Sequence, residues 1–174
     1  RKRPADGNHY ALFYTLNHQP RAAAALFPLL YNYATDTVVG SAVVALTNRL
    51  IDSSYLSIES VKSQKLKWLQ LLNAHLKPTL KNEEAEAIVY TLLELAGKLK
   101  LAELNSIVVK YVAAKDKWVK LEATDALLKM GQPVPASVLQ TLAGDKYFRA
   151  ELYHKLKEAK KVSLFPAAYR SQKS

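Results

Sequence analysis

The pattern of apolar and polar positions along this chain is helical, and it is clearest in two stretches that echo each other. Asp116–Lys129 reads DKWVKLEATDALLK and Asp145–Glu158 reads DKYFRAELYHKLKE. Set 29 residues apart, they pair Lys117 with Lys146, Trp118 with Tyr147, Val119 with Phe148, Lys120 with Arg149, Glu122 with Glu151 and Leu127 with Leu156. Agreement of charge, aromatic and aliphatic types in one register marks an internal repeat. Val119, Ala123, Leu127 and Met130 recur at helical spacing, as do Phe148, Leu152, Leu156 and Ala159. Each copy therefore predicts an amphipathic helix with one apolar stripe. The leading aspartate is placed to cap its helix, accepting from free N–H groups and suiting the positive end of the dipole. Lys120 and Arg149 are expected to point outward.

The rest of the chain gives further helices joined by short connections. Arg1–Asn8, with Pro4 and Gly7, reads as an entry loop. His9–Asn17 is apolar and aromatic, and both a short helix and a buried strand remain open. Gln19-Pro20 starts a helix to about Ala34, with proline in the first turn, where its missing N–H costs nothing, and Pro28 as a possible kink. Asp36 caps a helix to about Ile51, and Asp36, Val39, Ala42 and Leu46 repeat the Asp116 spacing with one residue slipped. After a turn at Asp52–Ser57, one long helix is expected from Ile58 to Leu76, stopped by Pro78. Asn82 caps the next, with Glu83, Glu84 and Glu86 in its first turn and Gly97 as its stop. Leu101–Ala114 and Asp116–Met130 follow, the latter closed by Gly131 and Pro133. Pro135 opens Ala136–Ala143, Gly144 closes it, and Asp145 opens the last helix, to about Lys160. In the tail, Leu164, Phe165 and Tyr169 are expected to pack back as a cap.

The expected organisation is an entry loop over 1–8, one helical domain over 9–162 and a tail over 163–174. The expected fold class is all-α: eight or nine helices paired as antiparallel hairpins in a right-handed α-α superhelix, with a closed irregular bundle as the structural alternative.

Composition narrows the function classes. With 174 residues, 49% hydrophobic and 23% charged, the chain is long enough to bury a substantial core. It has no cysteine, which excludes disulfides, thiolate metal sites and a cysteine nucleophile. The longest apolar run, about Val38–Leu46, is too short to span a bilayer and contains Gly40 and Ser41. No signal peptide is seen, and a start at Arg1 suggests a piece of a longer protein. The lack of cysteine leans towards an envelope-associated or secreted protein.

The net charge of +10 is uneven. Lys146, Arg149, Lys155, Lys157, Lys160, Lys161, Arg170 and Lys173 face only Glu151 and Glu158 near the C-terminus. A second basic cluster comprises Lys62, Lys65, Lys67, Lys77 and Lys81, and Glu83, Glu84, Glu86, Glu94 and Glu103 form an acidic block between the two.

Candidate chemistry is sparse. His9, His18, His75 and His154 show no metal-ligand spacing, and His154 is expected to pair with Glu158 or Glu151 on the surface. The chain has no phosphate loop, nucleophile elbow or dinucleotide fingerprint. No catalytic residue, cofactor or metal is therefore assigned.

The pattern D-x-x-V-[KR]-x-x-A-x-x-x-L resembles the second helix of HEAT and armadillo-type repeats, with Pro20 and Pro135 matching the proline of the first helix. The spacing of the copies here departs from a regular array. The ending, from Asp145 through Leu164-Phe165-Pro166 and Tyr169, also resembles helical C-terminal extensions of large bacterial envelope proteins of the TraB/GumN group. No peptidase-type motif of that group is present, so that resemblance implies no activity.

The HEAT-like resemblance implies a non-enzymatic scaffold that binds a protein or peptide. Trp118, Lys120, Tyr147, Arg149 and Tyr153 are the expected contact patch, because aromatics and arginine dominate interface energies. The alternative is nucleic-acid binding through the basic clusters. In the manner of HEAT-like DNA glycosylases, Trp118 and Tyr147 would line an aromatic cleft beside Asp125.

Overall fold

Most stretches with helical periodicity form helices among the described residues. The structure, a computed structural model, describes residues 7–33, 40–76 and 83–172, and these hold ten α-helices, short 3-10 turns and no strand. The fold class is all-α. The chain divides into two compact units, Arg1–His75 and Leu76–Ser174.

The first unit contains α1 (Gly7–His18), α2 (Pro20–Leu30), α3 (Gly40–Asp52), α4 (Ile58–Lys62) and α5 (Lys65–His75). The stretch that left strand and helix open is helical, and it buries Phe13 and Leu16. Pro20 occupies the first turn of α2, where no donor is needed, and Pro28 lies inside the helix. The expected Asp36 cap lies outside the described residues. Helix α3 buries Val43, Val44, Leu46 and Leu50.

The expected long helix from Ile58 to Leu76 is broken into α4 and α5 at Ser63–Gln64. Side chains take the carbonyls that would have continued it. The Ser63 hydroxyl donates to the Ser60 carbonyl at 2.6 Å, and the Trp68 indole N–H donates to the Val61 carbonyl at 3.0 Å. Such local bonds compete with the helical ladder. They also fix Trp68, which is fully buried with ring centroids 4.9 Å from Tyr31 and 6.5 Å from Phe27.

The second unit contains α6 (Glu83–Lys98), α7 (Asn105–Tyr111), α8 (Lys117–Lys129), α9 (Ala136–Gly144) and α10 (Lys146–Glu158). The Asn82 cap and the side chains of Glu83, Glu84 and Glu86 lie outside the described residues. The predicted Leu101–Ala114 helix is a 3-10 turn, Ala102–Leu104, followed by the shorter α7. Helix α8 packs against α6, α7, α9 and α10, with α6 its most extensive partner. It therefore has no single apolar stripe: every residue from Leu121 to Leu128 is buried, including Glu122, Thr124 and Asp125. Its counterpart α10 keeps the expected stripe, burying Leu152 and Leu156 alone. In the tail, Phe165 is buried with its ring 5.3 Å from Tyr153, and Tyr169 lies 4.8 Å from the Arg149 guanidinium, whereas Leu164 is exposed.

Helix ends repeat one device. After α3, α6, α8 and α10 the backbone turns left-handed at Ser54, Lys100, Gly131 and Lys160. At each, the following N–H reaches back to a carbonyl in the last turn, such as Leu101 to Ala96 at 3.1 Å and Gln132 to Leu127 at 2.9 Å. Gly131 does this as predicted. Gly97, expected as a stop, instead sits inside α6, where a Cβ would lie 3.0 Å from the Ala126 Cα and 3.3 Å from its Cβ. Its role is close approach to α8, and Lys100 takes the left-handed position.

Two substitutions separate these roles. Gly97→Val is expected to destabilise the second unit by about 1–3 kcal/mol through overpacking against α8. Lys100→Gly is expected to stabilise it by about 0.5–1 kcal/mol by relieving a left-handed residue with a side chain. Urea unfolding followed by circular dichroism reads both, and the reverse signs would reject the assignments.

Candidate interaction surface and the buried polar network

The N-terminal turns of α8 and α10 are built alike. Asp116 Oδ1 accepts from the Val119 N–H at 2.8 Å, and Asp145 Oδ1 accepts from Tyr147 and Phe148 at 3.0 and 3.4 Å. Lys117 and Lys146 then occupy the first helical position, and Trp118 and Tyr147 the second. The two turns are also joined. Lys117 Nζ donates to Asp145 Oδ2 at 2.6 Å and lies 5.8 Å from the Phe148 ring centroid. The bond from Lys117, aided by the two backbone donors, holds the Asp145 carboxyl below its ordinary range. Trp118 meets Tyr147 and Phe148 edge-on, at 5.5 and 5.1 Å between centroids.

The five residues expected to form one contact patch all fall in this unit, with different surroundings. Trp118 and Tyr147 form an exposed aromatic pair, with 42% and 59% of their surfaces open to solvent. Lys120 and Arg149 do not point outward as expected. Each is half-buried and donates to the end of the preceding helix: Lys120 Nζ to the Val112 carbonyl at 2.9 Å, Arg149 Nε to the Ala143 carbonyl at 2.7 Å. A cation at a helix C-terminus satisfies orphan carbonyls and the negative dipole end, which explains why these matched positions are basic. Tyr153 is half-buried against Phe165. An open depression of about 320 Å³ lies beside Lys120, between Val112, Pro135 and Val138.

Sequence reasoning missed a polar network in the core of the same unit. Asp125 is 1% exposed, and its Oδ2 accepts from Lys129 at 2.6 Å and Lys155 at 3.1 Å. Glu122, one turn earlier and 2% exposed, lies close enough to the Tyr90 hydroxyl of α6 to perturb it. Glu94 pairs with Lys98 at 2.7 Å. Burial pushes the Glu122 carboxyl up to about 7; Lys155 and Lys129 oppose the shift, and Asp125 and Glu94 add to it. Burial, followed by the nearby Glu122 and Glu94 charges, raises Tyr90. Desolvation works against the Lys155 ammonium, but Asp125 and Glu122 outweigh it and raise its pKa. Asp125, the carboxylate expected beside an aromatic cleft, is thus enclosed and twice ion-paired. The signal for this network was a pair of carboxylates one turn apart among Ala123, Ala126, Leu127 and Leu128. The lysines that neutralise Asp125 come from α8 itself and from α10, and only the fold brings Lys155 in.

His154 forms the expected surface contact with Glu158, at 3.1 Å. Of the second basic cluster, Lys77 and Lys81 lie outside the described residues, and Lys67 sits 5.0 Å from the Tyr31 ring centroid. Among the described residues no group of three or more histidines or carboxylates is placed to share a metal ion, and no helix is long and apolar enough to cross a membrane. No family model, no curated protein and no solved structure matches the chain.

Glu122 gives a pH signature. Its folded pKa, about 7, lies above the ordinary value of 4.5. Its contribution to stability is therefore fully present below pH 4.5 and is lost as pH rises to about 7. Glu122→Gln removes this loss. Relative to the parent, the variant is expected to gain about 1–3 kcal/mol at pH 8 over its standing at pH 4.5. Urea unfolding of both proteins across that range measures the difference, and a constant offset would show that Glu122 does not titrate there.

Proposed function

We propose that this chain is a non-enzymatic, HEAT-like helical-repeat module that docks a protein or peptide partner on the N-terminal turns of α8 and α10. The observation that carries the reading is the exposed pair Trp118–Tyr147. The two aromatics stand at equivalent positions of repeated helices and are braced from below by Phe148 and the Lys117–Asp145 ion pair. Rigid, exposed Trp and Tyr side chains are effective anchors, because little side-chain entropy remains to be lost on binding. A repeat origin is supported by parallel roles as well as parallel residues: both aspartates cap, and both basic residues reach back to the preceding helix. Stacking of such units into a right-handed superhelix is part of the same proposal.

A scaffold role suits the polar network, whose carboxylates are buried and already bonded. The same bookkeeping favours a protein over a nucleic acid. Lys117, Lys120, Lys129, Arg149 and Lys155 are committed to carboxylates or carbonyls, which leaves fewer cations for phosphates.

The test is Trp118→Ala combined with Tyr147→Ala, with Tyr147→Ala alone as the milder variant. Partners cross-linked in extracts of the source cell are expected to fall at least about tenfold, a loss of one anchor's worth of affinity, with an unchanged circular dichroism spectrum. Undiminished capture by a folded double variant would overturn the reading. So would DNA affinity that falls steeply with salt and does not respond to these substitutions.

A further inference from the structure

The chain contains, within itself, a worked example of what an α8-type turn binds. Lys117 and Trp118, the first two residues of α8, receive the first turn of α10. The received turn contributes an aspartate at the cap and aromatics two and three residues later, Tyr147 and Phe148. Asp145 serves both sides at once: Oδ1 caps its own helix and Oδ2 takes the lysine. An asparagine could cap equally well, but its amide group would present N–H donors to the ammonium. A serine hydroxyl would bring no charge.

The receiving pair occurs a second time. Lys146 and Tyr147 hold the first two positions of α10, as Lys117 and Trp118 do in α8, and both are exposed. The C-terminal 3-10 turns contact α10 elsewhere, with Phe165 on Tyr153 and Tyr169 on Arg149. Among the described residues no carboxylate lies within ion-pair distance of Lys146. We propose that Lys146 and Tyr147 dock the N-terminal turn of a partner protein's α-helix, one that carries an aspartate at its cap and an aromatic side chain two or three residues later. This rests on the reading of the exposed aromatics as a docking surface and supplies the chemistry of the partner. The intramolecular pairing of α8 with α10 fixes the complementarity: ammonium to cap carboxylate, ring edge to ring face.

The experiment uses the whole chain, labelled with nitrogen-15, and a side-chain-stapled, alanine-rich helical peptide headed Asp-Ala-Tyr-Phe. Titration is expected to move the amide resonances of Lys146 and Tyr147 most. A peptide headed by asparagine, or a Lys146→Glu chain, is expected to bind about two- to fivefold more weakly, the loss of one exposed ion pair. Lys146 is an exposed first-turn residue, where glutamate suits the helix dipole, so that variant retains its fold. The proposal is overturned if the Asp- and Asn-headed peptides bind equally. It also falls if no shift appears in the first turn of α10 at millimolar peptide, or if sedimentation shows a second copy of the chain occupying that turn. If the Trp118→Ala, Tyr147→Ala chain loses its cellular partners while the stapled peptide does not bind, the docking surface stands and the partner chemistry assigned here fails.

Discussion

The second unit depends on one constraint: α8 is buried on every side from Leu121 to Leu128, a stretch that carries two carboxylates. Burying an unpaired charge is far more costly than burying a methyl group, so the fold must neutralise both or leave one protonated. It does each once. Asp125 receives Lys129 from its own helix and Lys155 from α10. Glu122 lies near Tyr90, and burial pushes its carboxyl up to about 7. The Lys155–Asp125 bond ties α8 to α10 with one good geometry, whereas apolar contacts alone would tolerate sliding. Gly97 then sets how close α6 can come, because Ala126 leaves no room for a side chain.

A second layer of order sits at the helix ends. Asp116 and Asp145 satisfy donors at the starts of α8 and α10. Lys120 and Arg149 satisfy carbonyls at the ends of the helices before them. One helix start thus closes the previous helix end, an economical way to stack short helices with few glycines. The residues that the repeat pattern makes most conspicuous are spent on this bracing. Trp118 and Tyr147 escape it: they take part in the junction and still present large surfaces to solvent. That combination of fixed geometry and exposure sets them apart from the matched residues used for bracing.

Much of the fold was legible in the sequence because its signals are local. Capping aspartates, prolines at Pro20 and Pro135, and apolar positions recurring at helical spacing are read within one turn of helix, and the structure places helices there. The break at Ser63–Gln64 was not legible, since it requires Trp68 to turn its indole onto Val61. Neither was the left-handed end at Lys100, where an exposed lysine beside the Leu101-to-Ala96 bond takes a conformation glycine favours. Of the candidate surface, the exposure of Trp118 and Tyr147 agrees with the sequence, but Lys120 and Arg149 were assigned to solvent because a charged residue in a helix pattern carries no mark of what it will reach.

The sequence by itself determined the all-α class, the two similarly patterned helices with their caps, and the aromatic pair in their first turns. These follow from interactions between residues a few positions apart. Tertiary structure alone decided that α8 is enclosed and α10 is not, that Asp125 meets Lys155, and that Lys117 bridges to Asp145. The physical reason is that burial and ion pairing depend on which helices become neighbours, a choice made by the packing of the whole unit. Asp116–Lys129 and Asp145–Glu158 share one pattern, and their different surroundings make the first a core and leave part of the second as a surface.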